Sequence, residues 1–167
     1  MKIIFLVSIL FPILTFGQKL NQTKIDKFDS SIKITTSQEV LLKNYGIKQL
    51  QVEGVYTKNK EGAAYALFFI FPAPRVLSID NKNNAILKLK NGAMLKSEWL
   101  GSYSIYSTGD NIVYGIIIEK EGLIQLKENP LTDIRFENSN SDIDFVIGDK
   151  YLDILSNISK LLLSIPE

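Results

Sequence analysis

Apolar and polar residues alternate along much of the chain, and a period of two predicts a protein built mainly of β-strands. Leu50 and Val52 alternate with polar neighbours and predict a half-buried strand, with a bulge where Gly54 shifts the phase. The run Leu67–Phe71 does not alternate and ends at prolines, so we expect a central strand covered on both faces. Residues 37–46 carry a capping serine and a terminal glycine, and they predict a short helix.

The middle of the chain predicts two hairpins. A three-residue loop at 90–92 sets Leu87 opposite Leu95 and gives Gly92 the left-handed position that such loops need. This register keeps the apolar side chains of both strands on one face. The segment Ile112–Ile118 forms the second strand of the next hairpin, and its almost wholly apolar sequence predicts a place beside another buried strand.

The C-terminal part predicts a third hairpin followed by a helix. A four-residue loop at 138–141 sets Arg135 opposite Asp144 on the outer face, which is an attractive cross-strand pair. Apolar residues then recur at helical spacing over 149–165, with Asp149 as the expected cap. Packing against the sheet is the expected role of this amphipathic helix.

These elements predict an α+β fold: an antiparallel β-sheet or sandwich with a C-terminal amphipathic helix. The β-rich domain should span residues 32–167, preceded by a flexible lead-in at 18–31. In length, number of strands and terminal helix the chain also resembles the lipocalins. That resemblance implies a closed β-barrel as the alternative fold. The early Gly-x-Trp signature of the family is absent, because the single tryptophan is Trp99.

The first 17 residues have the pattern of a secretory signal peptide. Lys2 precedes an apolar segment, Ile3–Leu14, and Thr15 and Gly17 stand at the small-residue positions of a cleavage site. The alternative is an anchor kept in the membrane, but the apolar run is short and contains a proline. We therefore expect an exported bacterial protein, periplasmic or extracellular, without stable membrane insertion after cleavage.

The amino-acid composition limits which metal sites and catalytic groups the chain can form. The chain has neither Cys nor His, which excludes the usual zinc, copper and haem ligand sets and removes the commonest general base. We accordingly expect no metal and no cofactor. Removal of Lys2 leaves 18 basic and 18 acidic residues, and this balance argues against a nucleic-acid partner.

The residues that favour binding are aromatic. Trp99, Tyr103, Tyr106 and Tyr114 lie among Ser, Gly, Asp and Asn, which is the composition of recognition surfaces. The first hypothesis is therefore a non-enzymatic module that binds an envelope protein or a glycan through these four residues. The other interpretation is that they are ordinary strand or core residues.

Two further hypotheses come from other classes. A barrel lined by Phe69 and Phe71 would carry a small apolar ligand. Asp142 and Asp144 lie two apart on a strand and could serve a carboxylate-dependent hydrolase. The hydrolase is the weakest of the three, because Arg135 offers Asp144 a structural partner. No motif of a known enzyme class occurs, so we expect a protein that is not an enzyme.

Overall fold

The computed structural model describes residues 19–25, 31–43, 49–72, 84–98, 111–137 and 142–166. Within these ranges the chain forms ten strands and two α-helices. The strands are β1 (Leu20–Ile25), β2 (Ile32–Thr36), β3 (Glu39–Lys43), β4 (Gln49–Asn59), β5 (Gly62–Pro72), β6 (Asn84–Leu89), β7 (Met94–Glu98), β8 (Asn111–Ile118), β9 (Leu131–Phe136) and β10 (Ile143–Val146). The helices are α1 (Lys120–Glu128) and α2 (Asp153–Leu163), the latter preceded by a 3-10 turn (Asp149–Tyr151).

The strands form two antiparallel sheets. The six-stranded sheet has the order β1-β2-β4-β5-β8, and β3 pairs with the remaining length of β4. The four-stranded sheet has the order β10-β9-β6-β7. The predicted α+β sandwich is therefore confirmed. The lipocalin-like alternative is wrong, since the described strands separate into two sheets instead of closing into one barrel.

The core lies between the inner faces of the two sheets. Phe69 and Phe71 point inward from β5, and their ring centroids lie 5.5 and 5.1 Å from that of Phe136 on β9. Both helices complete this core with apolar side chains that are fully buried: Leu123 and Leu126 from α1, and Leu155, Ile158 and Leu162 from α2. The apolar stripe predicted for the C-terminal helix therefore packs as expected.

The run Leu67–Phe71 is a central strand, as predicted, but its two faces differ. Leu67, Phe69 and Phe71 on the inner face are buried, whereas Phe68 and Ile70 on the outer face are only partly buried. Phe68 lies directly opposite Gly115 of β8, and a Cβ on that glycine would sit 2.7 Å from the phenylalanine ring. The ring thus covers a bare stretch of backbone.

The predicted hairpin registers are confirmed. Leu87 pairs with Leu95, and Gly92 has a φ of 87°, in the left-handed region. Arg135 pairs with Asp144 across β9 and β10. The apolar strand β8 lies beside β5, while the predicted partner strand before it falls outside the described residues. Turn chemistry and the apolar period together were sufficient to fix these local pairings.

The helix predicted over 37–46 is wrong. Glu39–Lys43 forms β3 instead, paired with the first half of β4. The residues that suggested a cap take other roles: the Ser37 hydroxyl donates to the Glu39 carboxylate at 2.7 Å, and the Ser37 N–H donates to the Lys19 carbonyl at 2.8 Å. Tertiary pairing with β4 overrides the weak helical preference of this segment.

The bulge predicted at Gly54 is also misplaced. β4 pairs with β5 without a break through this glycine. The extra residue lies on the other side, where β2 gives way to β3 opposite Gly54. There the Gly54 N–H donates to the buried hydroxyl of Thr36 at 2.9 Å, which replaces the missing ladder bond. A Cβ at Gly54 would lie 2.6 Å from Cγ2 of Ile158, so the glycine admits α2 against the sheet.

Two boundaries differ from expectation. Within the predicted lead-in at 18–31, residues Leu20–Ile25 form β1, an edge strand paired with β2. An edge strand held mainly by backbone hydrogen bonds needs little apolar alternation, which is why β1 was not predicted. Asp149 does not cap the C-terminal helix but begins the 3-10 turn, and α2 itself starts at Asp153. Neither α1 nor α2 has the length and apolarity needed to cross a membrane, among the residues described.

Candidate functional site

Of the four aromatic residues predicted to form a binding face, Tyr114 alone lies within the described residues. Trp99, Tyr103 and Tyr106 lie outside those residues. Tyr114 points inward from β8, is 3% exposed, and has its ring centroid 4.6 Å from that of Phe136. Burial raises the pKa of its phenol, and the negative charge of Glu137 raises it further. Tyr114 is therefore a core residue in this structure, and the binding face of four aromatic residues stays a prediction.

Phe69 and Phe71, predicted as the lining of an apolar cavity, are engaged in core packing. Both contact Phe136, and the ring of Phe71 also lies 5.3 Å from that of Phe145 in an edge-to-face arrangement. Such aromatic pairs typically add about 0.5–1.5 kcal/mol beyond the burial of their area. These rings already use the contacts that an apolar ligand would need.

The carboxylates Asp142 and Asp144 are both held by Arg135. The guanidinium makes a two-pronged contact with Asp144, with Nε donating at 2.8 Å and Nη2 at 2.7 Å, while Nη1 lies 3.5 Å from Asp142. The hydrogen bond and the charge of the arginine lower the pKa of the Asp144 carboxyl. A carboxylate kept ionised in this way is poorly suited to donate a proton near neutral pH. The arrangement favours a structural role for the two aspartates.

The outer face of the four-stranded sheet has a groove of about 340 Å³, which we call the outer groove. Apolar residues lie along it: Ile86, Met94 and Val146. Met94 is 67% exposed and Val146 is 69% exposed, although both are large hydrophobic side chains. Their exposure follows from strand alternation: the apolar residues next to them in the sequence point toward the core, so Met94 and Val146 point outward.

Ion pairs cross the same outer face. Nζ of Lys88 on β6 lies 3.5 Å from the Asp133 carboxylate on β9, and the Arg135–Asp144 pair joins β9 to β10. Both pairs are solvent-exposed, so their contribution to folding stability is small. They do place charges of both signs around the apolar centre of the outer groove.

A second groove, of about 530 Å³, lies where the edges of the two sheets approach each other, between β7, β8 and the start of α1. We call it the seam groove. Leu87 and Ile118 form part of its buried lining, and Ile117 at its margin is 46% exposed. The Ser97 hydroxyl donates to the Ile117 carbonyl and links the two sheet edges. Met94 lines both grooves, so the two grooves adjoin at this residue, and we call them together the binding face.

The sequence contained a signal for this surface that the aromatic residues obscured. The confirmed register places Met94 opposite Lys88 and Val146 opposite Asp133, on the polar side of their strands. An apolar side chain that points outward, opposite a charged residue, contributes little burial free energy to folding. Searching the predicted hairpins for such out-of-phase apolar residues would have found Met94 and Val146.

Comparisons with protein-family models, with curated proteins and with solved structures find no match for this chain. In the described part of the chain, no group of three or more acidic side chains is placed to hold a metal ion. Any functional conclusion therefore depends on the chemistry of the binding face itself.

Proposed function

We propose that this chain is an exported, non-enzymatic module that holds a partner protein of the bacterial envelope against its binding face. The observation that supports the proposal is the exposure of Met94 and Val146 within a groove bounded by ion pairs. Apolar centres with polar margins are typical of protein interfaces, where Met and Arg are enriched. Export is the expectation from the signal-like first 17 residues.

A partner could gain substantial free energy from these side chains. Burying a Met or Val side chain that was exposed contributes roughly 1.5–3 kcal/mol. Met94 sits at the junction of the two grooves, and a flexible thioether can adapt to the shape that enters. The charges of Lys88, Asp133 and Arg135 would orient the partner more than they would strengthen its binding.

The described lining favours a protein over a glycan. Sugars are commonly held by aromatic rings that stack on them. The exposed apolar side chains of the binding face are Met94, Ile117 and Val146, and the partly buried Ile86 lies beside them; all four are aliphatic or thioether groups. Aliphatic and methionine side chains are better suited to the apolar residues of a polypeptide.

Site-specific photo-crosslinking tests this proposal. A photoreactive amino acid at position 94 should give a discrete adduct with an envelope protein in exporting cells. The same group at Lys60, in the exposed β4–β5 turn, is the matched control. A Val146→Asp substitution in the position-94 protein should remove the adduct, because it places a charge in the apolar groove. Equal labelling at both positions, or an adduct that survives Val146→Asp, would contradict the proposal.

The seam groove supports a second candidate function, the carriage of a small apolar ligand. Its volume of about 530 Å³ lies within the usual range of ligand pockets, roughly 300–1,000 Å³. Native mass spectrometry of the exported protein would distinguish the two functions. A co-purifying molecule lost in a Leu95→Lys variant would favour the carrier, whereas a bare protein with a crosslink at position 94 would favour the partner-binding module.

A further inference from the structure

Strand β1 forms one end of the six-stranded sheet, and among the described residues only one of its edges is paired. It pairs with β2, and no other described strand lies along its free edge. Leu20 is 44% exposed and Ile25 is 64% exposed, although both are large hydrophobic residues. A free strand edge with exposed apolar side chains is a template for pairing with another polypeptide.

A bulge brings these two apolar residues onto the same face. Their separation in sequence is odd, which on a regular strand would put them on opposite faces. The register with β2 shifts by one residue just after Leu20, so Leu20 lies opposite Thr36 and Ile25 opposite Ile32. These partners are four positions apart on β2, an even number, and Leu20 and Ile25 therefore point the same way.

We propose that β1 pairs with β1 of a second copy of this chain, antiparallel and centred on Thr23. Because of the bulge, Leu20 and Ile25 each lie two ladder positions from Thr23. This register therefore sets Leu20 of each copy opposite Ile25 of the other. The two apolar pairs then flank a central pair of threonines on one face. Lys24 of each copy lies opposite Gln22 of the other, so no like charges face each other.

Symmetry selects this register and this occupant. A two-fold axis perpendicular to antiparallel strands sets the central residue opposite its own copy. Centring on Lys24 would oppose two lysines, which is unfavourable, and centring on Gln22 would leave Ile25 without an apolar partner. Only the register centred on Thr23 matches both apolar residues. The sequence of β1 is therefore complementary to itself, and β1 of a second copy is the strand that matches its free edge.

The dimer would leave the binding face free. β1 and β8 are opposite ends of the six-stranded sheet, and the seam groove lies beyond β8. Pairing through β1 would therefore produce a continuous sheet across two copies with one binding face at each far end. The inference does not depend on the function proposed for that face.

Cysteine crosslinking tests the register directly, because the chain has no native cysteine. Residues directly opposite each other on antiparallel strands have Cα atoms about 4.5–5.5 Å apart, within the range of a disulfide. Thr23→Cys should therefore oxidise to a covalent dimer. Ile25→Cys, four positions from its own copy, and Thr57→Cys, exposed on β4, are the controls. Crosslinking of Thr23→Cys that does not exceed both controls would overturn the register.

Sedimentation analysis of the exported protein tests the dimer itself. The unmodified chain should show a concentration-dependent mass of two copies. Ile25→Lys should weaken association by at least about tenfold, because it replaces an apolar contact at each end of the pairing with a charge. Since Ile25 is exposed in the single chain, the denaturation midpoint of the diluted monomer should not change. A monomer at every concentration, or equal association of both proteins, would refute the inference.

Discussion

Two serines on one helix provide a sharp test of the packing between α1 and α2. Ser156 and Ser159 are both buried, and they lie one turn apart on α2. The Ser156 hydroxyl donates to the carbonyl of Lys127 at 2.6 Å, near the C-terminus of α1. The Ser159 hydroxyl is buried without a hydrogen-bond partner among the described residues. Replacing each serine by alanine deletes the same atom in two different environments.

The two substitutions should change stability in opposite directions. A buried hydroxyl without a hydrogen bond costs about 1–3 kcal/mol by mutational data, so Ser159→Ala should recover much of this penalty. Alanine is also the better helix former, by a fraction of a kcal/mol. The loss of one small group from the packing subtracts from this gain. We expect Ser159→Ala to stabilise the fold by about 1–2 kcal/mol.

Ser156→Ala is the matched control. It removes a hydrogen bond that contributes about 0.5–1.5 kcal/mol and leaves the Lys127 carbonyl, at a helix end, without its partner. We expect a net destabilisation of about 1 kcal/mol. The measurement is urea denaturation of the purified protein, with equal slopes required so that a shift in midpoint reports stability. If Ser159→Ala lowered the midpoint as much as Ser156→Ala, the description of Ser159 as an unsatisfied group would be wrong.

Three further predictions concern the core and the outer face. Gly54→Ala should lower the unfolding free energy by about 1–3 kcal/mol, because its Cβ would meet the Ile158 side chain, and thermal denaturation would measure the loss. Phe136→Ala should lose about 3–5 kcal/mol in urea denaturation, while the exposed Val146→Ala should stay within about 0.5 kcal/mol. Folding lowers the pKa of Asp144, so Asp144→Asn should reduce the free energy of unfolding at neutral pH. The difference in stability between the two proteins should shrink below the unfolded pKa of about 3.9 and vanish as the pH falls through the pKa of Asp144 in the folded protein. A difference that persisted unchanged in acid would show that charge is not its cause.

The hairpins were predictable because their signals are local. Gly92 fixes a left-handed turn and Leu87 pairs with Leu95 within a few residues, so turn chemistry and apolar period agree without any knowledge of the rest of the fold. The Arg135–Asp144 pair follows from the same reasoning. β3 was not predictable in this way, since its identity depends on pairing with β4, and isolated propensity favoured a helix.

The candidate site was harder to predict than the fold. Aromatic composition drew attention to Tyr114, which in fact fills the core against Phe136. The binding face instead depends on Met94, which joins two grooves only after the four-stranded sheet meets the edge of β8. The hairpin register could have indicated that Met94 points outward, but that it joins two grooves follows only from the packing of both sheets.

The order of the strands has a consequence for how the chain can be divided. β6 and β7 lie in sequence between β5 and β8, which are neighbours in the other sheet, and β9 and β10 return after α1 to complete the four-stranded layer. Neither layer is therefore made from one unbroken stretch of polypeptide. No single cut in the chain would separate one sheet from the other, because each fragment would lack strands that complete its sheet. We therefore expect the two layers to unfold together as a single cooperative unit.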